Sequence, residues 1–184
     1  MIKGLAEPKG FKVVLMIFLP FGCGYYLSYL FRTINAVISE NLTLELGLGP
    51  GGLGLLTSVY LIAFASSQVP LGVALDRYGP RRVNAFLLLF AATGSAIFAV
   101  AESFSFLLLA RALIGFGVSA ALMGAIKANT LWFPADRIPL MNNLIGACGA
   151  IGAVSATRPV EIILQIAAWR EIFAVLAVLT VLVS

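Results

Sequence analysis

The stretch GVALDRYGPRR, from Gly72 to Arg82, places four charged side chains and two glycines between two long apolar runs. Residues 46–75 carry no charged side chain, and neither do residues 83–101. About twenty apolar residues suffice for a helix to cross a bilayer. The stretch therefore predicts a short turn between two membrane-spanning helices.

The composition of the 184-residue chain is typical of a membrane protein. Hydrophobic residues make up 61% of it and charged residues 11%, whereas a soluble domain carries about 25% charged residues. The chain has no histidine, which excludes histidine-dependent catalytic triads and histidine-ligated zinc or haem. We interpret Cys23 and Cys148 as small buried apolar side chains. We expect no metal and no cofactor.

Charge-poor runs predict an all-α integral membrane protein in which residues 1–184 form one membrane domain. The six predicted spans are 13–31, 53–75, 83–101, 103–126, 138–157 and 168–184, with a hydrophilic stretch from Arg32 to about Gly52. After Glu171 only 13 residues remain. They would form ~20 Å of helix, less than the roughly 30 Å of a hydrocarbon core. We therefore expect the last span to be truncated and the chain to be part of a longer protein.

The basic residues predict the orientation of the chain, because cytoplasmic loops are enriched in Lys and Arg. With the amino terminus inside, eight basic residues face the cytoplasm and three face outward. The inner set is Lys3, Lys9, Lys12, Arg77, Arg81, Arg82, Lys127 and Arg137, and the outer set is Arg32, Arg158 and Arg170. We expect a multi-pass protein of the inner cell membrane. The cations are spread over separate loops, which does not indicate nucleic-acid binding.

The residue types of the predicted turn suit a reversal of the chain. Asp76 would lie at the carboxyl end of a helix, where the helix dipole disfavours a carboxylate. The three arginines of the turn would offset that charge locally. Gly79 allows the backbone to reverse, and Gly72 permits close approach of a neighbouring helix.

The pattern GxxxDRxGxRR resembles the signature between the second and third helices of the major facilitator superfamily of secondary transporters. It is carried by Gly72, Asp76, Arg77, Gly79, Arg81 and Arg82. The resemblance implies the amino-terminal six-helix half of a twelve-helix transporter, built from two three-helix inverted repeats. It also implies that these residues form a gating latch between the two halves. An ordinary positive-inside anchor is the alternative interpretation.

Arg111 lies about nine residues inside the fourth predicted span. Because an arginine at a helix centre costs about 2.5–3.5 kcal/mol on insertion scales, we expect its side chain to face the protein interior or a wet cavity. Snorkelling to the outer interface is the alternative. The segment RALIGFG, from Arg111 to Gly117, resembles the superfamily pattern RxxxGxG, which implies a role in handling substrate or protons. Similarly, Trp169, Arg170 and Phe173 resemble the WRxxF that opens the sixth helix.

A candidate substrate face lies on the first helix, where Tyr25, Tyr29 and Arg32 fall at positions i, i+4 and i+7. Simple packing is the alternative for the tyrosines. The other polar candidates for a substrate cavity are Gln68, Arg111, Asn142 and Asn143. The two arginines favour an anionic organic substrate. The acidic residues near the spans map to span ends, so we expect neither a proton carrier nor a catalytic residue in this part of the protein.

Small residues predict two close helix crossings. One stripe is Gly117, Ala121 and Ala125, and the other is Gly146, Gly149, Gly152 and Ala153.

Together these features predict transmembrane transport of a small solute by alternating access, and no enzymatic activity. The expected partners are a small-molecule substrate, the lipid bilayer, and either a carboxy-terminal half or a second copy of the chain. A six-span channel, an assembly protein and a half-transporter that works as a homodimer stay open as alternatives. Phosphate esters, carboxylates, sugars and drugs all stay open as substrates, as do the transport direction and the coupling ion.

Overall fold

The computed structural model describes residues 11–184, which are helical apart from short turns. Lys3 and Lys9, on which the orientation prediction partly depends, lie outside the described residues, as does the side chain of Lys12. The described chain forms nine helices. They are α1 (Phe11–Val37), α2 (Ser39–Leu46), α3 (Pro50–Tyr78), α4 (Pro80–Ala99), α5 (Phe104–Gly117), α6 (Ala120–Trp132), α7 (Ile138–Ser155), α8 (Arg158–Leu164) and α9 (Trp169–Val183).

Four segments of the described chain have the length and hydropathy of membrane-crossing helices. They are Pro50–Tyr78, Pro80–Ala99, Phe104–Trp132 and Ile138–Leu164. The third segment comprises α5 and α6, and the fourth comprises α7 and α8. The predicted all-α fold with apolar, membrane-length helices is therefore confirmed. That this chain contains six membrane spans remains a prediction.

The first helix does not end at Arg32, where the predicted hydrophilic stretch begins. It continues to Val37 and is followed directly by α2. Ile34, Ile38 and Leu42 are spaced four residues apart and are completely buried. The Leu42 N–H donates a hydrogen bond to the Ile38 carbonyl at 3.0 Å, which carries the helical pattern across the junction. One apolar face therefore runs through a stretch whose average composition is hydrophilic.

The fourth predicted span is divided at residues 118–119, between α5 and α6. The Ser119 hydroxyl donates to the Phe116 carbonyl at 2.7 Å. Such a local side-chain hydrogen bond competes with the helical ladder. Arg111, the charged interruption in the sequence of this span, lies inside the continuous helix α5. The helix is therefore interrupted at Ser119 and not at the charged residue Arg111.

α9 is packed against α4. Trp169 is completely buried and meets Phe98 edge to face, with ring centroids 5.5 Å apart. The Ser95 hydroxyl donates to the Phe173 carbonyl at 2.7 Å in the same buried interface. The WRxxF residues Trp169 and Phe173 therefore help to anchor the last helix of the described chain.

α1 and α7 cross at glycines. A Cβ on Gly152 would collide with a backbone carbonyl oxygen of α1, and Gly149 lies directly against the rings of Tyr25 and Tyr29. The predicted tight crossing is confirmed at these two positions. Gly146 differs, because no described atom other than those of its chain neighbours and its own helix backbone lies within 4 Å of the position that its Cβ would take.

The predicted stripe of Gly117, Ala121 and Ala125 also packs between helices. A Cβ on Gly117 would collide with the backbone of Ala91 in α4, and Ala121 and Ala125 are buried. This stripe is confirmed as a packing surface, as the sequence indicated.

The glycines of α7 give a matched test of this packing. We expect Gly152→Ala to destabilise the protein by about 1–3 kcal/mol, because the added methyl group overpacks a backbone contact. We expect Gly146→Ala in the same helix to leave stability unchanged or slightly higher, since alanine is the better helix former. The temperature at which each variant loses its monodisperse fraction in detergent measures both changes in stability. Equal melting of the two variants would contradict the proposed crossing.

Candidate functional site

The turn between α3 and α4 is made by Gly79. Its φ of +81° is a conformation that side-chain-bearing residues rarely adopt. The Gly79 N–H donates to the Leu75 carbonyl at 3.2 Å and so closes α3, and Pro80 begins α4 without the N–H that a first-turn residue would leave unpaired. The arginines on both sides of the turn are exposed. The predicted reversal at Gly79 is confirmed.

Asp76 is paired by a residue that is distant in sequence. Lys127 Nζ of α6 lies 2.8 Å from Asp76 Oδ1. The guanidinium of Arg77 instead lies over the ring of Tyr78, 5.4 Å from its centroid. The prediction that the arginines of the turn offset Asp76 locally was therefore wrong. The long, flexible side chain of Lys127 reaches the carboxylate from the neighbouring helix.

The other latch residues present an open surface. Gly72 is exposed, and no atom of another described helix lies within 4 Å of the position that a Cβ would occupy. Arg81 and Arg82 are exposed on the first turn of α4. Within the described residues, Gly72 therefore does not serve the close helix approach that was predicted for it.

A cavity of about 230 Å³ lies between α1, α3 and the α5–α6 junction. It brings together all three candidates of the first helix, Tyr25, Tyr29 and Arg32. The two tyrosine rings meet edge to face, with centroids 5.0 Å apart. The remaining lining residues are Ser28, Tyr60, Leu61, Phe64, Val118 and Leu122. The cavity combines aromatic walls with one cationic side chain.

Arg32 supplies the charge of this cavity. It is exposed, and none of the ion pairs among the described residues includes it. Tyr25, Tyr29 and Tyr60, which carry hydroxyl groups, belong to the same lining. A guanidinium with several donors and neighbouring hydroxyls can bind a carboxylate, sulfonate or nitrate group.

Arg111 lies beside this cavity and not in its lining. Its side chain is 1% exposed, which excludes snorkelling to the interface. Nη1 donates to the Phe31 carbonyl at 3.0 Å, and Cζ lies 5.4 Å from the ring centroid of Tyr60 and 5.8 Å from that of Phe98. Tyr60, whose hydroxyl lies 3.5 Å from the Ser28 carbonyl oxygen, separates the guanidinium from the cavity. The expectation that Arg111 faces the interior is confirmed.

The other three polar candidates lie elsewhere. Gln68 donates to the Phe64 carbonyl of its own helix at 3.3 Å and lines a groove beside Asp76 and Lys127. Asn142 accepts a hydrogen bond from Asn129 at 2.8 Å. Asn143 is exposed on α7. The structure does not bring Gln68, Asn142 or Asn143 into the cavity.

Several site residues were missed in the sequence. Ser28 lies on the same helix as the tyrosines, and its position one turn before Arg32 was an available signal. Tyr60 and Phe64 are four residues apart on α3, and the centroids of their stacked rings lie 6.5 Å apart. Nothing in the sequence of that apolar run distinguishes these two residues as site residues. Lys127 was counted only as an inner cation.

The end of the helix bundle opposite the α3–α4 turn is held by Arg170. This side chain forms an ion pair with Glu45 of α2. Its Nη2 donates to the Ala101 carbonyl at 3.2 Å, and its guanidinium lies 4.2 Å from the ring centroid of Trp169. Three separate parts of the chain thus converge on one arginine.

Comparison with known proteins agrees with this architecture. The sequence pattern of the Major Facilitator Superfamily matches residues 21–184. The chain belongs to the major facilitator superfamily. Membership confirms the assignment made from the α3–α4 turn, and places the chain in a class of membrane transport proteins that are not enzymes.

Two relatives and one solved structure are each matched by this chain over only part of their length. The chain is 28% identical over 152 residues to a probable sulfoacetate transporter of Cupriavidus necator, and covers 35% of that protein with 83% of its own length. It is 28% identical over 143 residues to a nitrate/nitrite transporter of a Picosynechococcus species, and covers 26% of it with 78% of its own length.

The solved structure is that of a bacterial homologue of the human lysosomal transporter Spinster, in its inward-facing and unoccupied conformation. The TM-score is 0.82 at 17% identity, over 95% of this chain and 42% of the other. This likeness shows the fold. The chain spans between about a quarter and a third of the length of the two curated relatives described above.

The Asp76–Lys127 pair can be tested by a double-mutant cycle with Asp76→Asn and Lys127→Gln. Because both side chains are partly exposed, at 71% and 39%, we expect a coupling energy of about 0.2–1 kcal/mol. We expect it to fall as salt is added. Unfolding in mixed micelles measures it. Arg82→Gln combined with Lys127→Gln serves as the uncoupled control, and additivity of the Asp76 cycle at low salt would contradict the pair.

Proposed function

We propose that this chain is the amino-terminal half of a secondary transporter that moves small anions across the inner cell membrane by alternating access. The observation that supports this most directly is the cavity cation Arg32, which lies among tyrosines and without a carboxylate partner in the described residues. An anionic substrate would supply the missing partner, and a hydrogen bond between two charged groups is about twice as strong as one between neutral groups.

The names of the relatives support an anionic substrate. Sulfoacetate, nitrate and nitrite, named for two of the relatives, are all anions that a guanidinium binds through oxygen atoms. The charge shared by these named solutes reduces the number of substrate classes that the sequence left open. The proposal favours carboxylates, sulfonates and small oxyanions over sugars and cationic drugs.

Arg111 contributes to this function through its neighbours. It holds the carbonyl of Phe31, the residue that precedes Arg32, and it packs against Tyr60, which lines the cavity. We therefore assign Arg111 the role of positioning the cavity wall. Its positive charge, one aromatic ring away, also favours an anion in the cavity over a cation.

In the proposed cycle the latch residues control one face of the membrane. Asp76 and Lys127 join α3 to α6 at the end that we place in the cytoplasm, on the evidence of the basic residues. The exposed Gly72 lines the open groove between α3 and α6, where we expect the other half of the transporter to approach. Rocking of the two halves would make and break contacts at this face while six spans on each side move as units.

The second half is either the remainder of a longer polypeptide or another copy of this chain. The length of the intact polypeptide in its native membrane separates the two, and crosslinking then distinguishes a dimer from a monomer. A channel or an assembly protein is the other alternative. Flux that saturates with substrate concentration indicates a transporter, and flux that stays linear indicates a channel.

Uptake by the complete transporter in proteoliposomes tests the substrate class. We expect Arg32→Gln to raise the KM for sulfoacetate or nitrate by about ten- to a hundredfold, the loss of a charged hydrogen bond worth about 1.5–3 kcal/mol. Arg137→Gln, at an exposed position before α7, is the matched control and should transport normally.

The anion proposal would fail on a clear result. If the complete transporter carried only cations, and if Arg32→Gln and Arg111→Ala left uptake unchanged, neither arginine would take part in substrate selection.

A further inference from the structure

A second cavity, unrelated to the one that contains Arg32, lies between α3 and α4. It is a groove of about 400 Å³, which we call the α3–α4 groove. Its walls include Leu71, Ala74 and Tyr78 of α3 and Phe86 and Leu87 of α4. The groove forms because α3 packs mainly against α5, and α4 packs against α5 and α9, so that α3 and α4 contact each other little. Phe116 of α5 also lines the groove.

The groove opens away from the face that the other half of the transporter would cover. Leu61, which lines the cavity that contains Arg32, and the latch residue Gly72 are eleven positions apart on α3. They therefore lie on the same side of that helix. Ala74 of the groove is two positions from Gly72, which is about 200° around a helix with 3.6 residues per turn. The groove is therefore directed toward lipid.

The dimensions of the groove match one leaflet of a bilayer. It extends on α3 from Ser67 to Tyr78, a length of about 16 Å at 1.5 Å per residue. The hydrocarbon depth of one leaflet is about 15 Å, half of a roughly 30 Å core. Its walls are almost entirely apolar, and exposed aromatic side chains of Phe86 and Phe116 flank the opening. An acyl chain fits this chemistry and this length.

One end of the groove is cationic. Arg82 lines it beside the exposed ring of Tyr78. The nearest acid in sequence, Asp76, is paired with Lys127 on the other side of α3. Among the described residues, no carboxylate contributes to the lining of the groove. Basic side chains at a membrane surface attract anionic headgroups.

We propose that the α3–α4 groove binds an anionic glycerophospholipid of the leaflet at the α3–α4 turn. One acyl chain occupies the groove, and the phosphate group binds Arg82. The lipid thereby covers the apolar gap between two helices that the protein itself leaves unfilled, next to the latch residues.

Native mass spectrometry of the complete transporter, with added phosphatidylglycerol or phosphatidylcholine, tests this site. We expect phosphatidylglycerol to bind more tightly than phosphatidylcholine. Arg82→Gln should weaken phosphatidylglycerol binding about fivefold, the effect of one cation at a membrane surface, and remove the preference. Ala74→Phe should weaken both lipids, because it fills the groove.

Two control variants match these changes. Arg137→Gln removes another exposed cation, and Ala174→Phe adds the same side chain at an exposed position of α9. Both should bind lipid as the unmodified protein does. If Ala74→Phe does not yield monodisperse protein, Phe86→Ala, which removes a wall of the groove, should weaken both lipids instead.

Three results would overturn the proposal. The first is equal binding of the two lipids by the unmodified protein, and the second is unchanged binding by the groove variants. The third is a crosslink from Ala74→Cys to a helix in the rest of the transporter, which would show that protein and not lipid occupies the groove.

Discussion

The guanidinium of Arg111 is the point at which four helices meet. It belongs to α5, donates to a carbonyl of α1, and packs against aromatic rings of α3 and α4. A buried charge is costly in an apolar medium, and here hydrogen bonding and ring contacts offset part of that cost. Because the carbonyl and both rings must keep their places around the cation, Arg111 constrains the relative positions of all four helices.

The two ends of the described bundle are held with different strength. At one end Arg170 combines an ion pair, a hydrogen bond to a backbone carbonyl and an aromatic contact. At the other end the exposed Asp76–Lys127 pair joins α3 to α6, and exposed pairs contribute little to stability. These side-chain contacts therefore constrain the end at the α3–α4 turn less than the opposite end, in line with the latch that we propose there.

The sequence predicted best those features that depend on neighbouring residues. The reversal at Gly79 and the grouping of Tyr25, Tyr29 and Arg32 follow from local spacing along one turn or one helix. The small-residue crossings were also visible, although only packing distinguishes Gly152 from Gly146. Lys127, 51 residues from Asp76, could not be assigned in this way, because its role depends on how α3 and α6 pack. Tyr60 was missed for the same reason.

The contact of Gly149 with the rings of Tyr25 and Tyr29 has a consequence for selectivity. Both tyrosines line the cavity, whereas none of the described lining residues belongs to α7. In the substrate cavity that we propose, the backbone of α7 at Gly149 supports the two tyrosine rings and so helps to set the available volume. A methyl group at Gly149 would lie 2.6 Å from Cε1 of Tyr25, so a change at this position of α7 would displace the rings and alter the shape of the cavity.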